Sequence, residues 1–79
     1  MSREEIYNNL NEVFRDVFDD EKIFVTDTTT AKDIEDWDSL EHINLIVAVE
    51  NKFDIKFKMN EVIALKNVGE MVDIIMERI

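Results

Sequence analysis

Ile6, Leu10, Val13, Phe14, Val17 and Phe18 recur at three- and four-residue spacing, one apolar stripe that predicts an amphipathic helix. Ser2 and Glu5 stand in capping-box register and place its start. Tyr7 lies beside the stripe and suits either side. The pattern stops at Asp19-Asp20-Glu21, where acids meet the negative end of the helix dipole. From Asp19 to Trp37 no period persists. Ile23-Phe24-Val25, Ile34 and Trp37 read as apolar anchors, and Thr26-Asp27-Thr28-Thr29-Thr30 offers side chains that bond locally to backbone. A connection this long is usually functional or wrapped on the core. A short strand over Ile23–Val25 is conceivable, but no partner strand is in view.

The helical rhythm resumes from Ser39 to about Phe53, with Leu45, Ile46, Val49 and Phe53 inward. Leu40, Ile43 and Val47 form a second apolar row that so small a bundle leaves partly uncovered. Asp54-Ile55-Lys56-Phe57-Lys58 alternates polar and apolar, an extended connector with two inward anchors. Asn60 is expected to cap a short third helix through about Leu65, with Val62 and Leu65 inward. Asn67 and Glu70 form a cap-like pair for the last helix, whose Val68, Met71, Val72, Ile75 and Ile79 are spaced for the core. Gly69 lies in its first turn, where glycine costs less than in mid-helix. The expected fold is all-α: a small four-helix bundle, three main helices plus one short helix, with a long first loop. Residues 1–79 are expected to form a single domain near the lower size limit for an unassisted core.

Candidate chemistry gathers at the start of the second helix. Asp38 is a good N-cap, and Glu41 stands where a carboxylate can reach back to the cap's own N–H. Ser39 then occupies the first helical position, its hydroxyl at the positive end of a dipole that favours an attached anion. His42, the only histidine, follows three residues later on the same helix side. A Ser–His nucleophile pair would also need an oxyanion hole and a walled pocket, which a bundle of this size does not readily build. A solvated or partner-facing histidine is expected instead, with Trp37 as a hydrophobic anchor before the cap and the methionines as core filler.

Composition narrows the classes. A net charge of −10 argues against a nucleic-acid backbone as partner. The longest apolar run, Leu45 to Val49, is far too short to span a membrane, and the polar opening shows no signal peptide. A monomer in the cytoplasm is the default expectation. There is no cysteine, so any thiol chemistry has to arrive on a prosthetic group. An EF-hand over Asp27 to Asp38 fails on ligand register: Thr29 and Ala31 fill the third and fifth places, and Lys32 stands where glycine belongs.

Asp38-Ser39-Leu40, followed by Ile43, Leu45, Ile46, Val49, Glu50 and Phe53, resembles the second helix of acyl carrier proteins of the stand-alone type. The resemblance covers essentially the whole chain. It implies a carrier rather than an enzyme, with a 4′-phosphopantetheine arm on Ser39 whose thiol holds acyl, aminoacyl or polyketide intermediates as thioesters. It also implies that Asp38 helps present the serine to a phosphopantetheinyl transferase and sits near that enzyme's metal. Further partners would be an acyl- or aminoacyl-loading ligase or transferase and downstream biosynthetic enzymes. The chain departs from fatty-acid carriers at Asn44 and Asn51, which are often Glu there, and at Trp37, where glycine is frequent. Its acids cluster instead between Asp16 and Glu41. These departures lean toward a dedicated carrier in a specialised pathway, docking through Leu40, Ile43, Asn44, Val47 and Val62. The alternative is a helical interaction module without a prosthetic group.

Overall fold

A computed structural model describes residues 1–79. Four helices follow in order: α1 (Arg3–Phe18), α2 (Ser39–Phe53), α3 (Met59–Ala64) and α4 (Val68–Arg78), with a 3-10 turn at Ala31–Asp33 in the first loop. There is no strand, so Ile23–Val25 runs as irregular chain. The expected all-α bundle with one short helix is what forms.

The stripes read from sequence become the core. Ile6, Leu10, Val13, Phe14 and Phe18 of α1 meet Leu45, Ile46, Val49 and Phe53 of α2, and Val68, Met71, Val72 and Ile75 of α4 close the cluster. α1 packs chiefly on α2 and also on α4. Burying each large apolar side chain contributes about 1.5–3 kcal/mol, which is how a chain without disulfides holds together. Ile79, expected in the core, lies past the end of α4 and is half exposed. Of the methionines only Met71 fills the core; Met1, Met59 and Met76 are exposed.

Two helices end alike. Asp19 and Asp54 adopt left-handed backbone (φ 50° and 54°), and their amides donate to Arg15 O and Glu50 O. A left-handed residue, more than charge at the dipole, stops the helix; Asp tolerates that conformation better than most non-glycine residues. α3 starts one turn's edge earlier than expected. Lys58 is its N-cap residue, its amide donating to Glu61 Oε1 at 2.7 Å, and Asn60 lies inside the helix.

The long first loop is tied down by partners distant in sequence. The buried Asn11 accepts from the Val25 amide (2.7 Å), and Arg15 Nε donates to Ile23 O (2.8 Å). These bonds seat Ile23 and Val25 in the core while Phe24, between them, points outward and is exposed. Asp27 Oδ1 accepts from both Arg3 (2.8 Å) and Tyr7, which holds its carboxyl below the ordinary value, the tyrosine bond contributing most. Burial, then the same bond, pushes the Tyr7 phenol up. The loop backbone finally caps α4: Thr29 O and Asp27 O accept from Val68 N (2.9 Å) and Gly69 N (3.0 Å). The threonine run bonds to its own backbone as expected, with Thr26 N donating to Thr29 Oγ1 at 2.9 Å.

Candidate functional site

Asp38 has extended backbone, and its Oδ1 accepts from Glu41 N at 2.8 Å, so the predicted cap is present. The reciprocal half of the box is not. Glu41 Oε1 accepts instead from Asn44 Nδ2 at 2.7 Å, and the Asp38 amide turns back to Asp36 O at 3.0 Å. Ser39 is the first residue of α2 and is exposed, and its hydroxyl has no protein hydrogen-bond partner. The only other serine, Ser2, has its oxygen committed to the Glu5 amide. A free hydroxyl on the positive end of a fifteen-residue helix suits a phosphodiester, both sterically and by the unpaired N–H groups around it.

Beside Ser39 opens a cleft of about 470 Å³. Ile43 of α2 forms one wall, Met59, Val62 and Ile63 of α3 the other, with Leu65 and Met71 beyond. Lys66 is the one Lys or Arg among its lining residues. The hydrophobic lining follows from the sequence: Ile43 of the second apolar row of α2 faces Met59, Val62 and Ile63 across the gap, and the one acid of α3, Glu61, lies off the cleft.

Leu40, Ile43 and Val47 are 70, 49 and 50% exposed, so the second row of α2 is uncovered as its spacing predicted. Asn44 is exposed alongside them. Val62 is not part of that surface. At 8% exposure its side chain anchors α3 in the core, because in a helix of only six residues one face must turn inward. Met59 and Ile63 are the α3 side chains that face solvent. They could have been found from the same spacing, since they flank Val62 on the outward side of the turn.

His42 departs furthest from expectation. It is half-buried, and both ring nitrogens are engaged. Nδ1 accepts from Trp37 Nε1–H at 3.0 Å, and Nε2 lies 3.1 Å from Val62 O. An indole N–H only donates and a carbonyl only accepts, so the ring is held as the Nε2–H tautomer. Trp37 stacks on it (5.9 Å between centroids) and meets Phe14 edge-on (5.3 Å). Neither a solvated histidine nor a nucleophile's base is present here.

A helical scaffold here presents one unencumbered serine beside a largely apolar cleft, an arrangement suited to carrying a covalently attached group. The family described as "Phosphopantetheine attachment site" matches residues 9–75. The acyl carrier protein of Lactobacillus acidophilus is 31% identical over 75 residues, covering 95% of this chain and 94% of that protein. That of Acidothermus cellulolyticus is 36% identical over 75 residues, covering 95% and 89%. The solution structure of holo acyl carrier protein from Geobacter metallireducens superposes with a TM-score of 0.85 at 46% identity, covering 91% of this chain and 83% of that one. This chain belongs to the acyl carrier protein family. It is a carrier of covalent phosphopantetheine, not an enzyme, which sets aside the interaction module without a prosthetic group. Carriers of this kind work with phosphopantetheinyl transferases and biosynthetic enzymes. No helix is long and apolar enough to cross a membrane.

Proposed function

We propose that Ser39 is the attachment point and that the cargo is an aliphatic acyl group sheltered in the adjoining cleft. The observation that carries this is the free Ser39 hydroxyl at the edge of a cleft lined mainly by hydrophobic side chains. The terminal thiol of the arm supplies the thioester linkage that the cysteine-free chain lacks. The chain's own residues do the rest: Asp38 fixes the start of α2 and so the direction of the hydroxyl, and Ile43, Met59, Val62 and Ile63 exclude water from the cargo. The polar groups of the lining, among them Asp38, Lys66 and Asn67, are outnumbered by hydrophobic ones, which suits an alkyl chain better than the repeated carbonyls of a polyketide.

Exposed Leu40, Ile43, Val47, Met59 and Ile63 support a dedicated role, with apolar docking to pathway enzymes in place of an acidic row. Asn44 borders that surface as a neutral amide. Full modification by a broad-specificity transferase, read by intact mass and peptide mapping, tests the assignment. One arm on Ser39, absent in Ser39→Ala, is the expected result; an arm on any threonine overturns it.

A further inference from the structure

We propose that His42 is the positioning residue that fixes how far α3 stands from α2 and thereby selects the length of acyl chain the cleft admits. The proposal rests on the reading of the cleft as the cargo site. Helix α3 spans only Met59–Ala64, too short to persist without outside support. Its last four carbonyls lack intrahelical partners. Lys66 N–H, which would close the next turn onto Val62 O, donates instead to Glu70 Oε1 at 2.8 Å. His42 Nε2–H takes its place, 3.1 Å from Val62 O, and so caps the end of a helix twenty residues away from across the cleft.

Three supports hold α3: the buried Val62 side chain, the Arg78 fork on Glu61 (2.6 and 2.5 Å), and His42. Neither Glu61 nor Arg78 lines the cleft. His42 does, and it is the one side chain hydrogen-bonded across from α2 to α3. Its other nitrogen is held by Trp37, which is braced on Phe14 and Phe18 of α1. The spacing of the cleft walls is therefore referred back to the rigid core rather than left to α3. Because burial of a single methylene changes an equilibrium about fourfold, small changes in that spacing decide which chain lengths are sheltered.

The test uses a broad-specificity transferase to load the chain with acyl-phosphopantetheine from the corresponding acyl-coenzyme A, butyryl to tetradecanoyl, and follows thioester cleavage by hydroxylamine, alongside amide exchange in α3. His42→Asn keeps an acceptor for Trp37 but is too short to reach Val62. His42→Gln offers an acceptor and a donor on one planar group and serves as the rescue. Wild type is expected to protect chains up to a limiting length. His42→Asn is expected to extend that limit and to speed amide exchange at the end of α3 about tenfold, with His42→Gln restoring both. An unchanged length limit in His42→Asn overturns the role of His42 while leaving the cleft as cargo site. No protection of any chain in wild type overturns the cleft reading, and this proposal with it.

Discussion

The Gly69 amide donates to the Asp27 carbonyl at 3.0 Å, and a Cβ added at Gly69 would stand 2.8 Å from that same oxygen. The first turn of α4 and the first loop meet backbone to backbone, and the lone glycine is what lets them.

Gly69→Ala should therefore destabilise the protein, although alanine is the better helix former. The propensity gain is about 1 kcal/mol, against roughly 1–3 kcal/mol for forcing a methyl into a packed contact with main chain that cannot step aside. A net loss of up to about 2 kcal/mol follows, read as a lower melting temperature or urea midpoint. An unchanged or raised midpoint would show that the loop yields easily.

Asp38→Ala should act on both stability and modification. Losing the cap costs about 1 kcal/mol, and the turn that carries Ser39 frays with it. Asp38→Asn separates the two effects, because asparagine caps without a charge. Transferase kinetics in which Asn matches wild type would leave only the cap and remove any role for the carboxylate.

Val47→Asp should weaken the pathway partner strongly, and Ile63→Asp likewise, since covering an apolar side chain is worth about 1.5–3 kcal/mol when complete. Glu50 is a poor charge control: its Oε2 accepts from the Phe57 amide at 2.8 Å and holds the α2–α3 connector. Glu41→Gln is the sounder one, since exposed ion pairs contribute about 0–1 kcal/mol. Binding that falls steeply with salt and survives Val47→Asp would move the work to the acids between Asp16 and Glu41.

The Glu61–Arg78 fork predicts a pH dependence of defined sign. Arg78, and after it the Lys58 amide, holds the Glu61 carboxyl down to about 2 from an ordinary 4.5. A carboxylate depressed in the folded state stabilises it fully above the unfolded value and progressively less as pH falls through the folded one. The stability difference between wild type and Glu61→Gln should thus be largest near neutrality and shrink between pH 4.5 and about 2. Urea melts of both proteins across that range check it. The comparison also cancels the relief of charge repulsion that acid brings to a chain of net charge −10.

Helices α1, α2 and α4 were legible because their stability comes from one repeated spacing plus a local cap, both written in consecutive residues. Asp38 as the cap and Ser39 as the first helical residue were legible for the same reason, while a role for Ser39 came only with the family resemblance. The first loop was not. Its shape depends on Asn11, Arg15, Arg3 and Tyr7, whose positions on α1 look like ordinary solvent or border sites until the chain returns to them. Phe24 was misplaced because hydrophobicity alone does not say which of three adjacent apolar residues the loop bonds will turn outward. His42 was misread because it was judged on its own helix, and the bond that holds it crosses to α3. Val62 is inward as its spacing indicated, and counting it in the docking surface as well conflicted with that spacing.

Trp37 is the only tryptophan, and it borders the cleft while its indole N–H is committed to His42. Emission excited in that indole comes from a single place in the molecule. Its colour and lifetime will register whether the neighbouring space holds water or hydrocarbon, and whether the imidazole above it has shifted. The chain thus contains its own optical gauge of loading, usable without a label in a stopped-flow cuvette while an enzyme adds or removes the acyl group.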